Sequence, residues 1–281
     1  MAHLNILTDS FTTQNTRAFL TPLLRAAPFL RDSGISLRCH YAIEPALFEC
    51  DVLVVNSNYF WNAEAPDRQE TALESIGNFA DKVDRLLYFD RSSTPSSINA
   101  DVLAIVPRYY KTSLLKDCAL YTRPLYGVRA FSDYYHRTCG IEDDEPAYSA
   151  AIPEAELAKL RLSWNTALAN YSLFGPRLSS FYRWLPLKSW LAPPRRFEPP
   201  SANRPNDVAC RITTNYRYAS VAYQRRAVAE RLAAYCPSER LSKPAYFKEL
   251  RRSRIVVSPF GYSELNYKDY ETFICGSVLL K

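Results

Sequence analysis

Ser253-Arg-Ile-Val-Val-Ser-Pro-Phe-Gly-Tyr-Ser-Glu-Leu-Asn-Tyr-Lys-Asp-Tyr-Glu-Thr-Phe-Ile-Cys-Gly-Ser-Val-Leu-Leu-Lys281 is the stretch on which the fold turns. Ile255-Val-Val-Ser258 is a short β-branched run, too short for a helix, and reads as a buried strand. Pro259 to Asn266 is a loop, and Tyr267 to Cys275 a short helix. Gly276 caps that helix, and Ser277-Val-Leu-Leu280 is a further strand. Strand, loop, helix and strand in this order predict a parallel pair joined by a helical crossover.

The same alternation extends upstream. Asp207-Val-Ala-Cys-Arg211 reads as a strand leading to the polar loop Thr213-Thr-Asn-Tyr-Arg217, followed by helices over Val221 to Tyr235 and Tyr246 to Arg252. Nearer the start, Leu4 to Thr8 predicts a strand, Phe19 to Leu30 a helix ending at Gly34, and Ile35 to Tyr41 a second strand. Asp51-Val-Leu-Val-Val-Asn56, Leu86 to Asp90 and Val102 to Val106 read as three more strands, with a helix over Arg68 to Val83. Pro153 to Tyr171 has Pro at its start and predicts a helix. The fold class is therefore α/β, built on parallel sheets. Ligands in such sheets lie beyond the carboxyl ends of the strands, which puts Asp9, Asn56 and Asp90 at the edge of one crevice.

Leu191 to Pro205 holds five Pro in fifteen residues and predicts an extended, semi-rigid tether. It divides the chain into an N-terminal domain over 1–190, a linker over 191–206, and a second domain over 207–281. The 75 residues from Asp207 fall short of the ~100–200 usual for a domain. A final apolar strand would also leave an open sheet edge, so the second domain is expected to be incomplete here.

Composition bounds the function. The 281 residues are 47% hydrophobic and 23% charged, enough apolar material for a sizeable core. The net charge of +6 is dispersed, without the basic clusters of a nucleic-acid tail. It suits a small polyanion or peripheral attraction to an anionic membrane surface. Seven Cys at wide spacings, with no CxxC pattern, fit free thiols in a reducing cytoplasm rather than zinc ribbons or a disulfide framework. The first residues lack the features of a signal peptide, and no apolar run approaches ~20 residues. The expected location is cytoplasmic or membrane-peripheral.

In the stretch 253–281, Glu264 and Glu271 are carboxylates placed by a Gly-containing loop and the following helix. A carboxylate in that position can accept two hydrogen bonds from a vicinal diol such as a ribose. The helix start is an anion site, and Lys268, three residues before Glu271, shares its face. A cation beside a diol-binding carboxylate suits a nucleoside diphosphate. On spacing alone the same residues are better described as a solvated helix start with a Lys–Glu pair. In the first half, Asp90 precedes Arg91-Ser-Ser-Thr94 and is a candidate general base, or a cap of the next segment; Asp9 has the same two readings. His136 is a further candidate base, or a structural histidine.

The segment with Ser258-Pro-Phe-Gly261, Glu264, Tyr267-Lys-Asp-Tyr-Glu271 and Gly276-Ser-Val-Leu-Leu-Lys281 resembles the donor-domain signature of GT-B glycosyltransferases. It is closest to the family-one-like group that includes spore-maturation-protein-like transferases. Fainter echoes are Phe131-Ser-Asp-Tyr-Tyr-His136, Leu162-Ser-Trp-Asn165 and Tyr171-Ser-Leu-Phe-Gly-Pro176. The resemblance implies two Rossmann-like domains and metal-independent transfer of a sugar from a nucleotide-sugar donor to a glycan, lipid or protein acceptor. It implies that Glu271 binds the donor ribose and Lys268 faces the diphosphate. Ser258, Gly261 and Glu264 belong to the same donor motif, and Arg211 and Arg217 flank a loop where such enzymes often contact phosphate, or are solvated surface residues. No cofactor, metal ligand or nucleic-acid partner is implied, and no Asp-x-Asp triplet is present. The chain departs from many retaining members, whose two glutamates stand eight apart. Here Glu264 and Glu271 stand seven apart, with Ser263 at the eighth position, so the stereochemical outcome does not carry over. The alternatives are an exostosin-like transferase, whose signature also places a basic residue three before a glutamate, and a non-catalytic nucleotide- or sugar-binding fragment.

Overall fold

The computed structural model describes residues 1–11, 13–61, 67–164, 178–193 and 197–281. The chain forms two compact units, Met1–Arg123 with Ala150–Pro194, and Pro124–Ser149 with Arg195–Lys281. Both are α/β with all-parallel sheets.

The first unit carries six strands: β1 (Ala2–Leu7), β2 (Ile35–His40), β3 (Val52–Asn56), β4 (Leu86–Asp90), β5 (Tyr109–Lys111) and β6 (Leu160–Leu162). Their order is β2-β1-β3-β4-β5-β6, a doubly wound arrangement that reverses between β1 and β3. Helix α1 (Gln14–Asp32) starts at Thr13, whose Oγ1 accepts from the Thr16 amide at 3.2 Å. It buries Phe19 and Leu20 with Ile6, Val54 and Phe89. Helices α2 (Ala72–Ala80) and α3 (Ala100–Ile105) contribute Ile76, Phe79, Val102 and Leu103 to a larger core with Leu53, Val55, Tyr88 and Tyr109. The β-branched stretches make strands because both faces of the sheet are covered.

Two expected elements differ. Val102 to Val106 lies in and just after α3, because Asn99 caps a helix there, its Oδ1 accepting from the Val102 amide at 3.1 Å. The sheet takes the three residues of β5 instead. Within Pro153 to Tyr171, a 3₁₀ turn over Glu154–Lys159 gives way to β6, and the Lys159 ammonium donates to the carbonyls of Leu103 and Ala104 at 3.0 and 3.1 Å. Pairing with β5 decides this segment over its helical periodicity. Residues 165–171, and the echo at 171–176, lie outside the described residues.

The second unit carries β7 (Asn206–Ala209), β8 (Ser253–Val257) and β9 (Val278–Leu280), in that order, with α5 (Ala219–Leu232), α6 (Lys243–Arg252) and α7 (Tyr267–Ile274) as crossovers. Helix α4 (Ala130–Cys139) also belongs here, although chain order assigns 124–149 to the first domain. Ser220 Oγ lies 3.0 Å from Asp143 Oδ2 and from Ser132 Oγ, and the Ser220 amide donates to Asp143 Oδ1 at 2.8 Å. The Phe131 ring packs 4.9 Å from Phe260. These contacts span up to 129 residues of sequence, so no local pattern announces them.

The Pro-rich tether is shorter than its composition predicts. Leu191 is in the core of the first unit. The Glu198 amide already donates to Ile274 O at 2.9 Å in the second. Arg204 is buried, its guanidinium donating to the carbonyls of Ser253 and Cys275 at 2.9 and 2.7 Å and to Ser277 Oγ at 2.8 Å. Gly276 follows α7 at φ +66°, and a Cβ there would stand 2.7 Å from Pro199 O. The close approach of the tether requires glycine. All seven cysteines are free thiols.

Candidate functional site

The carboxyl end of the second sheet is where the loop 258–266 meets α7. Ser258 is buried, its amide donates to Leu280 O at 2.8 Å, and its Oγ donates to Asp269 Oδ1 at 2.6 Å. Asn266 caps α7, with Oδ1 accepting from the Lys268 amide at 3.0 Å and Nδ2 donating to Pro259 O at 3.1 Å. Asp269 completes a capping box by accepting from the Asn266 amide at 3.1 Å, and Lys281 Nζ donates to the same Asp269 oxygen at 2.6 Å. This corrects the expectation that the helix start itself receives an anion. The dipole already holds the Asp269 carboxylate, and Ser258 serves that cap.

The positive charge available to a ligand lies beside the cap. Lys268 is half-buried, and its ammonium donates to the carbonyl of Arg211 just past β7. Burial, then the nearby Arg225 guanidinium, draws its pKa down to about 8. Arg225, on α5, is buried and donates to the carbonyls of Thr213 at 2.6 Å, Phe260 at 2.7 Å and Pro259 at 3.3 Å. It lies 4.8 Å from the centroid of the Tyr216 ring. Among the described residues, the hydrogen-bond acceptors of these two cations are backbone carbonyls, and no carboxylate pairs directly with either. Burying charge without an ionic partner is costly, so two neighbouring cations held this way form a place for an anion. Arg225 was not singled out from the sequence. Its role arises from the loops around it, and no spacing signals that.

Glu271 lies one turn beyond Lys268, half-buried, and accepts from the Tyr246 phenol of α6 at 2.8 Å. Burial and that carboxylate push the phenol well above its ordinary pKa. The pairing fixes the direction of the carboxylate. Arg211 is engaged elsewhere: Nε and Nη2 bind the two Glu249 oxygens at 2.8 and 2.7 Å, and those bonds raise its pKa. Arg217 is exposed, ion-paired with Glu145, and stacks on Tyr218 at 5.8 Å. Neither arginine is brought to the Lys268–Arg225 pair by its side-chain contacts. Glu264 is half-buried, and its charge acts on Arg129. Arg129 donates to Tyr262 O at 2.9 Å, lies 5.2 Å from the Tyr218 ring, and holds the tip of the loop.

Gly261 carries no positive φ, and a Cβ there would meet only the Tyr216 hydroxyl, at 3.7 Å. That is ordinary contact. Gly261→Ala is therefore expected to change stability by no more than ~1 kcal/mol, with any gain coming from a stiffer unfolded chain. A drop in melting temperature of more than about 5 °C would mean that the loop needs glycine for itself.

The three candidate bases fare differently. Asp90 ends β4 in a closed network. Its Oδ2 accepts from Lys111 Nζ and the Tyr109 phenol at 2.8 Å each and from Ser92 Oγ at 2.9 Å, while Oδ1 accepts from the Ser92 amide at 2.7 Å. Burial alone would raise its pKa, but the Lys111 charge and these bonds bring it below the ordinary carboxylate value. A strong base is not made this way, and Asp90 is a structural clamp. His136 lies on α4 in the second unit, stacked 3.9 Å from the Tyr126 centroid, with Nδ1 2.9 Å from Ile141 O, and closes the end of its helix. Asp9 lies buried just past β1, beside the strand reversal where Asn56 Nδ2 donates to Thr8 Oγ1 at 2.9 Å. Doubly wound sheets bind ligands at such a reversal.

No group of three or more metal-ligating side chains occurs among the described residues. No helix among them is long and apolar enough to cross a membrane. No family model matches the sequence, and no curated protein matches it. Among solved structures, a chain described as an alpha-glucosyltransferase in complex with UDP-glucose and DNA containing an abasic site is similar at 10% identity. The match covers 99% of this chain and 78% of that chain, with a TM-score of 0.34. A likeness of that size decides neither ligand nor activity, and the fold stands on the strand order described above.

Proposed function

We propose that this chain transfers a glycosyl group from a nucleoside diphosphate sugar, with the second unit holding the donor. The observation that carries the reading is the pair of cations, Lys268 and Arg225, at the carboxyl ends of β7 and β8 with carbonyls as their hydrogen-bond partners. The resemblance of 253–281 to GT-B donor motifs supports it. As the bond to the sugar breaks, negative charge grows on the leaving diphosphate. Fixed cations stabilise that charge without reorganising, and no metal ion is needed for the step. Glu271, directed by Tyr246, accepts hydrogen bonds from the ribose hydroxyls. In the first unit, Asp9 is our candidate for the base that takes the proton of an acceptor hydroxyl. The acceptor itself, whether glycan, lipid or protein, is left open by these residues.

The test is calorimetry of uridine or guanosine diphosphate binding in the presence of a chelator. Glu271→Gln removes the charge from the ribose contacts. Charge-assisted bonds contribute ~1.5–3 kcal/mol, so affinity is expected to fall at least ~10-fold. Melting temperature should hold, because the glutamine side chain still offers an oxygen to Tyr246. Glu249 pairs with Arg211 and is no neutral control; exposed Glu230 on α5 is. Unchanged affinity in Glu271→Gln removes the ribose assignment. Binding that needs manganese counts against a metal-free site.

A further inference from the structure

Between Glu156 and Glu198 the chain has no acidic residue and seven Lys or Arg, so the whole positive excess of +6 falls inside this stretch. Its described part, 178–193, turns two unlike faces to its surroundings. The inner face is anchored in the first unit. Leu191 is buried with Ile6 and Phe19, its carbonyl accepting from Arg25 Nη1 at 2.5 Å; the Tyr182 ring lies 5.5 Å from Phe11; and Ser179 Oγ donates to Trp190 O at 2.8 Å. The outer face exposes large apolar groups in sequence: Phe181, Trp184, Leu185 and Leu187 are 51%, 72%, 52% and 48% accessible. Arg183 and Lys188 are exposed among them, and the Arg183 guanidinium lies 4.3 Å from the Trp184 ring centroid.

We infer that the segment 178–191 docks the first unit onto an anionic lipid surface. Exposed tryptophan, phenylalanine and leucine gain by leaving water for the headgroup boundary, where the indole is well accommodated. Arg183 and Lys188 sit where they can meet lipid phosphates while the apolar side chains enter, and each basic group near such a surface strengthens binding about fivefold. Anchoring by Tyr182 and Leu191 keeps the apolar residues presented without folding on contact. A protein partner would also take the apolar side chains. The absence of any carboxylate across the stretch favours a uniformly negative surface, to which the repelling charges would otherwise belong. The inference does not depend on the donor site.

The test is flotation of the full chain with vesicles of phosphatidylcholine alone and of phosphatidylcholine mixed with phosphatidylglycerol. The wild type is expected to float with the mixed vesicles and to be released by added salt. The apolar variant Trp184→Ala/Leu187→Ser and the charge variant Arg183→Glu/Lys188→Glu are each expected to bind at least ~10-fold more weakly, with unchanged melting temperatures. Tyr235→Ser, an exposed aromatic of the second unit, should bind as the wild type does. The inference is overturned if the wild type ignores the anionic vesicles, or binds the neutral ones equally. It is also overturned if both variants bind like the wild type, or if they abolish self-association of the wild type while leaving lipid binding intact. The charge variant keeps the test decisive should the apolar variant misfold.

Discussion

Replacing Lys111 by methionine is expected to lower the stability of the first unit by about 3–5 kcal/mol at neutral pH, the usual cost of stranding one member of a buried ion pair. Lys111 is fully buried, and its ammonium donates to Asp90 Oδ2 at 2.8 Å, Ser92 Oγ at 2.6 Å and Ser97 O at 2.7 Å. Removing it leaves the Asp90 carboxylate without its cation. At roughly 2–4 °C per kcal/mol for a unit of this size, melting should fall by about 6–20 °C. The sign of the pH dependence follows from Asp90. Its native pKa lies below the unfolded value near 3.9, so its stabilisation is present above that value and lost as pH falls through the native pKa. Without Lys111 the native carboxyl takes a proton more readily, and variant and wild type should converge in acid. The double variant Lys111→Met/Asp90→Asn leaves no stranded charge and should recover most of the loss. Calorimetric melts of the four proteins close the cycle. A single variant within ~1 kcal/mol of the wild type would show that water or a rearranged side chain solvates Asp90.

Lys268→Met is expected to weaken nucleoside diphosphate binding by ~10–100-fold, as loss of one charge-assisted contact of ~1.5–3 kcal/mol implies. The pH profile is the more searching measurement. With a pKa of about 8, Lys268 is mostly cationic at pH 7 and mostly neutral at pH 9. Wild-type affinity should therefore decline about tenfold for each pH unit above ~8, and the bound complex should take up a proton. In the methionine variant this part of the profile should flatten. The ligand-free protein supplies an opposite sign. Its native state holds this proton less tightly than the unfolded chain, whose lysine titrates near 10.5. Stability should thus rise with pH between about 8 and 10.5, and the rise should vanish in the variant. Affinity that stays level from pH 7 to 9.5 would place the diphosphate away from Lys268.

Much of this architecture was legible in the sequence, and the failures have physical causes. The runs 52–56, 86–90 and 255–257 are β-branched or apolar, bounded by polar residues, and short. Little but a buried strand fits them. Val102 to Val106 has the same composition, yet one side-chain oxygen on Asn99 makes the difference between strand and helix, and a capping group is easily outweighed by a hydrophobic pattern. At the site, the strand–loop–helix placing Lys268 and Glu271 was readable because its pieces are contiguous. Arg225 was not, since its three loop partners are carbonyls, and carbonyls carry no sequence identity. Arg211 misled for the converse reason. It stands where a phosphate contact is expected, but Glu249 on α6 holds it.

The second unit is not a contiguous piece of the chain. Helix α4 is made while the first sheet still lacks β6, and it must wait some eighty residues for Ser220 and Asp143 to meet across α5. Each unit is therefore interrupted by sequence belonging to the other, and loop closure over that length is slow compared with the local crossovers. During synthesis the aromatic face of α4 is exposed early, which makes it a natural target for a chaperone. The same threading limits how this gene can be divided. Separating the halves at the proline tether would strand 124–149 on the wrong fragment, so a shuffled or split version would have to carry that helix with the C-terminal piece.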